Sequence, residues 1–457
     1  MGSQLNGVKI KARTLSNFWQ FSLHKQILLI AFPMILSNIT TPLMGLVDTA
    51  VLGHMPGSYF LAGASVATLL ITQIYWVCGF LRMTSTGLSA QAKGTAKASQ
   101  INQSLFQSIL IGLLLGLGIL VLQDVILSLG LRFSETTELV EQAMTDYFKA
   151  RIWGAPAAML NLALVGWMIG QQQTKLVLAI QVIGNLINVA LSLCFVFVFG
   201  WGVEGVALAT VASEYTITAT SLWLATKRLP KLEFDKQWLT FSQLKPLLHL
   251  NGNTFFRNLA LQACIAFLIF KGVGFSPTNA AINAILMQFF TLIALGLDGV
   301  AFAAEALVGE QKGRGSREGI KQVTLHGLIW SSLLAVVYSL VFMVFGEGIV
   351  SLLTDQKHLQ SAITDYHWFI FSLPIIAHWC FYFDGVFVGL TRAVAMRNSM
   401  LFCALAVYFP AFYVFSEWQN QGLWIAMVLF LLARGLSLGG YFIYLYRYQF
   451  QSDQVAV

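Results

Sequence analysis

Apolar runs long enough to cross a bilayer recur along this chain, and they restrict its fold more than any other feature. They fall at about 26–52, 59–83, 104–124, 147–169, 176–199 and 203–225, then at about 246–272, 278–304, 323–345, 366–390, 398–416 and 422–446, each near the roughly 20 residues that span hydrocarbon. Backbone polar groups in lipid must bond within their own segment or within a closed barrel. A barrel would show alternating segments of about ten residues, and none is apparent. Only 10% of the residues are charged, against about 25% in a soluble domain, so a water-soluble surface cannot be covered. The expected fold class is therefore an all-α polytopic membrane protein with twelve transmembrane helices.

The positions of the basic residues predict an orientation. One side of the membrane takes nineteen: Lys9, Lys11, Arg13, Lys25, Lys93, Lys97, Lys175, Lys227, Arg228, Lys231, Lys236, Lys245, Lys312, Arg314, Arg317, Lys321, Arg392, Arg397 and Arg447. The other takes five: Arg132, Lys149, Arg151, Lys271 and Lys357. Short loops rich in Lys and Arg stay in the cytoplasm, so both termini are expected there, in a multi-pass protein of the cytoplasmic (inner) membrane. The net charge of +7 thus reports topology and implies no nucleic-acid partner.

The halves of the chain resemble each other. "QAMTDYF" at 142–148 matches "SAITDYH" at 361–367, a shift of 219 that also places Lys93-Gly94 on Lys312-Gly313, and Gly166 and Gly170 on Gly385 and Gly389. Trp201 and Gly205 match Trp418 and Gly422 at a shift of 217. Six spans per half keep both repeats in the same orientation, so the lobes should be related by a pseudo-twofold axis along the membrane normal. The expected division is a cytoplasmic segment 1–25, an N-lobe 26–225, a basic linker 226–245, a C-lobe 246–446 and a tail 447–457. Two bundles around a central cleft suit alternating access.

Few residues in the spans can carry chemistry. Asp48 lies in "LMGLVDTAVLG", where an intramembrane acid marks an ion pathway by default; the competing reading is a solvated residue near the outer interface. Ser37 and Thr41 lie within about 20° of its helical direction, with Met44 beside them. Pro33 removes one backbone bond from the same helix and allows it to bend. The fifth helix offers Asn188 and Ser192 one turn apart, and the sixth offers Thr210 and Glu214 at the same spacing; both pairs are candidates to face Asp48. In the second half, Arg257, Asp298 and Asp384 form a candidate polar site, either a structural triad or a proton relay. His378 is expected to pack between helices. The five cysteines lie singly in apolar segments, so neither metal site nor disulfide framework is expected. With no phosphate loop, HExxH or GxSxG, no enzyme is expected, and uphill transport would need an ion gradient.

The stretches "PMILSNITTPLMGLVDTAVLGH", "GNLINVALS", "GVEGVALATVASEY", "RNLALQ", "LDGVAFAAEALVG" and "FDGVFVGLTRAVAMRNSM", in this order, resemble the multidrug and toxic compound extrusion (MATE) family in its DinF branch. That resemblance implies two six-helix lobes arranged as a V, and export of amphipathic, often cationic compounds against H⁺ or Na⁺. It puts the family's first-helix acid on Asp48, its bending proline on Pro33, and its polar cluster on Asn188 and Thr210. Members of the branch commonly carry a second acid where this chain has Ser192. A bare cation site is poorer without that carboxylate, which favours H⁺ as the coupling ion, with Na⁺ at Asp48, Asn188 and Thr210 as the alternative. A flippase of a lipid-linked precursor, using Arg257 and Arg82 as cavity cations, is a further alternative. No cofactor is implied; the expected partners are amphipathic small molecules and the lipid bilayer, and a monomer is expected.

Overall fold

The computed structural model describes residues 21–55, 57–134, 137–229 and 231–449, excluding the side chains of Thr41, Leu43, Met44 and Phe133. The expected N-terminal segment up to residue 20 and most of the tail lie outside these residues, as do the two expected cavity side chains Thr41 and Met44. The described residues form helices and no strands. In chain order the spans are α1 (Phe21–Gly53), α2 (Ser58–Thr95), α3 (Ala98–Val121), α4 (Glu138–Gly170), α5 (Thr174–Val198), α6 (Gly202–Arg228), α7 (Phe241–Phe275), α8 (Pro277–Gly313), α9 (Arg317–Leu353), α10 (Lys357–Gly389), α11 (Ala393–Val414) and α12 (Ser416–Gln449). Eleven are long and apolar enough to cross a membrane. The twelfth, α6, is diluted by Glu204, Glu214 and a row of Thr and Ser.

Several helices outrun their apolar stretches. Hydropathy reports the part of a helix that meets lipid, whereas α9 runs for 37 residues, roughly 55 Å. The second half of α2, Phe80–Thr95, has little hydropathy at all, yet Thr84, Ser85, Thr86 and Ser89 are buried in it. Neighbouring helices cover most of that half, leaving Leu88, Gln91 and Lys93 half-buried.

The repeat is visible in backbone and side chains alike. Ala96 and Gly315 both take positive φ (56° and 68°), as do Gln172 and Thr391 (61° and 51°), each pair 219 residues apart. Lys93 donates to the carbonyl of Gln171 at 3.2 Å, and Lys312 to that of Leu390 at 2.5 Å. Both ammonium groups thus satisfy a carbonyl at the end of a neighbouring helix, where unpaired acceptors and the helix dipole favour a cation.

Between helices in lipid there is no hydrophobic drive, so close packing at small residues matters more. A Cβ on Gly166 would lie 2.3 Å from the carbonyl oxygen of Arg82, and one on its counterpart Gly385 would lie 2.5 Å from that of Ala301. Across the lobes the contact is reciprocal: a Cβ on Gly94 would meet the carbonyl of Glu310 at 2.1 Å, and one on Gly313 that of Gln91 at 2.1 Å. These two glycines let α2 and α8 touch backbone to backbone near the pseudo-twofold axis.

Among the described residues, every side-chain hydrogen bond between the lobes falls from mid-span to the end bearing the termini. Asn38 reaches Leu295 O at 3.0 Å, Gln91 reaches Gly389 O at 2.8 Å, and Gln172 reaches Glu310 at 2.5 Å. The lobes are joined at that end. Gly313→Val is expected to wedge it open without unfolding either lobe. In a cysteine-free background, a cysteine at the fully buried Ala90 should then alkylate readily. Unchanged protection would show that the glycine contact does not hold that end shut.

Candidate functional site

The N-lobe site begins with α1, which stays helical through Pro33 and Pro42. Pro33 has no N–H, so the carbonyl of Leu29 loses its helical partner. The buried Thr174, opening α5, donates its hydroxyl to that carbonyl at 3.4 Å. Nothing in a lone threonine at a helix start points to this role in the sequence. Ser37 is buried, and its carbonyl accepts the Thr40 hydroxyl at 2.8 Å. Asn185 of α5 donates to the carbonyl of Thr40 at 3.2 Å. The bendable helix is thereby tied to α5 on both sides of its first turn beyond Pro33.

Asp48 is half-buried, and among the described residues its carboxylate accepts hydrogen bonds from hydroxyls only. Ser192 donates to Oδ1 at 3.2 Å and Thr210 to Oδ2 at 3.4 Å. Asn188 donates to the Thr210 oxygen at 3.0 Å. The one-turn spacing of Asn188 and Ser192 puts both on the inner face of α5, and both are fully buried. Thr210 has a single hydroxyl proton and a second acceptor in reach, the carbonyl of Val206 at 3.1 Å. Asn188 Oδ1 is buried without a hydrogen-bond partner among the described residues.

Glu214, a candidate to face Asp48, makes no hydrogen bond to this cluster. It is clamped by Arg151, Nη1 to Oε2 at 2.9 Å and Nη2 to Oε1 at 2.5 Å. A guanidinium fork matches a carboxylate in two parallel bonds, which hydroxyls cannot rival. Arg151 itself, counted above among the residues of the less basic face, is 8% exposed. Gly154 makes the pairing possible, because a Cβ there would lie 2.3 Å from Glu214 Oε2 and 2.5 Å from Arg151 Nη1. With all three groups ionised, Asp48, Glu214 and Arg151 carry one net negative charge.

In the C-lobe, the expected Arg257–Asp298–Asp384 triad has a different membership. Asp384 Oδ2 accepts from both Arg257 and Arg434, the latter at 2.5 Å. Arg257 also donates to Asn258 at 2.8 Å. Asp298 is half-buried and makes no hydrogen bond or ion pair to Arg257 or any other described residue. Arg434 was not foreseen, nor was Glu305, which takes Arg82 of the other lobe in two bonds of 2.9 and 3.2 Å. An arginine and an acid far apart in sequence give no local pattern that would reveal such a pairing. His378 packs between helices, with Nε2 3.0 Å from the Ser332 hydroxyl.

The MatE family model matches the chain twice, over residues 33–194 and 255–414, once in each lobe. The chain belongs to the MatE family. The first match runs from Pro33 through Asp48, Asn188 and Ser192; the second contains Arg257, Asp298 and Asp384. Among curated MATE relatives, DNA damage-inducible protein F of Escherichia coli (strain K12) is 35% identical over 413 residues, covering 90% of each chain. A probable multidrug resistance protein NorM of Pasteurella multocida is 25% identical, covering 89% of this chain and 90% of the relative. Solved MATE structures share the fold: one described as being in the bent conformation aligns with TM-score 0.82 at 18% identity over 95% of this chain and 97% of that one. Another, described as straight, aligns equally well over 94% and 96%. As a MATE protein the chain is a multi-pass secondary transporter of the efflux type and not an enzyme.

Proposed function

We propose that this transporter exchanges H⁺ for amphipathic, often cationic compounds, exporting them across the cytoplasmic membrane as a monomer with Asp48 as the coupling acid. The observation that carries this reading is the contrast in partners. Glu214, Glu305 and Asp384 are each clamped by arginine, whereas Asp48 is held by two long hydroxyl bonds. Hydroxyls rotate at little cost, so Asp48 can exchange its counter-charge; an acid locked to a guanidinium cannot do so cheaply.

With Asp48 ionised, the net negative N-lobe site attracts a lipophilic cation. Protonation removes that charge, and the Thr210 hydroxyl turns to the Val206 carbonyl. A cation then gains nothing from the site and leaves. Substrate affinity should therefore rise as pH increases through the titration of Asp48. Pro33 lets α1 move during this step, because the freed Leu29 carbonyl is restrained by one long bond. The lobes are joined at the terminus-bearing end, which the basic residues assign to the cytoplasm, so the cleft opens outward here. A proton returning inward supplies about 2.3 kcal/mol per 100 mV and about 1.4 kcal/mol per pH unit.

Purified protein in sodium-free liposomes should accumulate an ethidium-type cation when a pH gradient is imposed. No accumulation without sodium, followed by accumulation in a sodium gradient at uniform pH, would sink the H⁺ reading. One observation favours that second reading: Asn188 Oδ1 is a buried oxygen beside Thr210 with no hydrogen-bond partner among the described residues, and hard cations seek such ligands. The flippase reading loses its support, since Arg82 and Arg257 are both engaged by acids.

A further inference from the structure

Two cavities at the terminus-bearing end of the membrane spans occupy corresponding places in the repeat. The first, of about 420 Å³, lies where the start of α7 meets the α10–α11 turn, against α2 and α3. The second, of about 340 Å³, lies where the start of α1 meets the α4–α5 turn, beside the end of α6. Residues 391–394 line one and residues 172–175 line the other, 219 positions apart. Each cavity is thus built beside one of the two left-handed turns at Thr391 and Gln172.

Their linings share a chemistry. Each has an apolar wall, Leu88, Leu247, Leu250 and Val394 in the first, Leu29, Ile30 and Leu176 in the second. Each has cationic or donor groups and no carboxylate: Arg392 and His249 in one, Lys175 and Arg228 in the other. The basic residue has moved between the repeats, since Arg392 corresponds to Gln173 and Lys175 to Val394. What both cavities keep is the sign of the charge. None of these four side chains forms a hydrogen bond or ion pair with a described residue, although Arg392 is half-buried. Other half-buried arginines find an acceptor: Arg82 meets Glu305, Arg317 the carbonyl of Tyr446, and Arg397 the side-chain oxygens of Asn253 and Asn398.

We propose that these cavities bind the headgroups of anionic phospholipids, one per lobe, from the leaflet at the terminus-bearing end. An unmatched cation at the edge of the hydrocarbon is met by a phosphodiester there, and the apolar wall receives the first acyl carbons. Depth decides for a lipid over a soluble anion: both cavities lie at the ends of membrane spans, where headgroups are always present. Occupation of the first cavity also bridges the lobes, because α2 and α3 line it from one side and α7 and α11 from the other.

Delipidated full-length protein, titrated with phosphatidylglycerol or phosphatidylcholine of equal chain length and read by native mass spectrometry, tests this. Two phosphatidylglycerol molecules should bind in preference to phosphatidylcholine. R392A with H249A should remove one, and K175A with R228A the other, each Arg or Lys accounting for about five-fold in affinity. R392K should retain the first site, and unchanged melting temperatures should exclude misfolding. Equal binding of the two lipids, or phosphatidylglycerol binding indifferent to all four substitutions, would overturn the proposal. So would displacement of the lipid by millimolar glycerol phosphate, which would assign the cavities to a soluble phosphate.

Discussion

Asp48→Asn is expected to abolish concentrative transport while leaving the protein folded and able to bind substrate. The wild type, exchanging one H⁺, should accumulate substrate about ten-fold per pH unit of gradient. The variant has no group to carry the proton through the N-lobe, so its accumulation ratio should fall to about one. Asn has nearly the shape of Asp, and its amide oxygen can accept from Ser192 or Thr210 as the carboxylate does. It carries no charge to desolvate, so little loss of stability is expected. Accumulation by the variant at the wild-type ratio would return Asp48 to the status of a solvated interface residue. Ser192→Asp offers a complementary test. A second carboxylate against Asp48 Oδ1 creates a pair of like charges relieved by a hard cation, so sodium should begin to compete with substrate. Indifference to sodium would show that the cluster is too wide to hold an ion.

The second large effect concerns stability. Asp384→Ala strands two buried guanidinium groups, Arg257 and Arg434, which are 7% and 4% exposed. Removing one partner of a buried ion pair typically costs about 3–5 kcal/mol, and here two cations lose their counter-charge at once. The variant should be recovered mostly as aggregate on size exclusion in detergent, with a melting temperature well below that of wild type. Adding Arg434→Met to Asp384→Ala should recover part of the loss, because the two residues act as one unit and their effects do not add. A stable single variant would mean that water reaches the cluster and screens it.

How much of this was legible in the sequence depended on how local the signal was. Span number and the repeat follow from composition along the chain and from collinear matches such as Lys93 on Lys312, and the same residues cap the same helix ends in both lobes. Asn188, Ser192 and Thr210 were readable because a one-turn spacing fixes a helix face and because an intramembrane acid needs partners. The arginine pairings were not readable. Arg151 stands close to a span end, where sequence alone cannot separate a loop cation from a buried one, and its partner lies 63 residues away. The clamp on Glu214 was missed for that reason, as was the membership of the C-lobe cluster, where Arg434 and not Asp298 completes the contact with Asp384. The polar half of α2 was invisible for a different cause: hydropathy registers exposure to lipid, and this half is mostly covered by other helices.

The reciprocal contact of Gly94 and Gly313 bears on how the chain assembles during synthesis. A face that fits its own pseudo-symmetric copy also fits a second copy of itself, so N-lobes emerging first from neighbouring ribosomes present surfaces able to pair with one another. The Arg82–Glu305 bond discriminates against that outcome. At the repeat shift, Arg82 corresponds to Ala301 and Glu305 to Thr86, so two N-lobes would oppose Arg82 with a threonine and leave two unmatched charges in the membrane. A single off-axis ion pair therefore acts as a proofreading mark, rejecting the symmetric mispairing and accepting only the lobe encoded downstream.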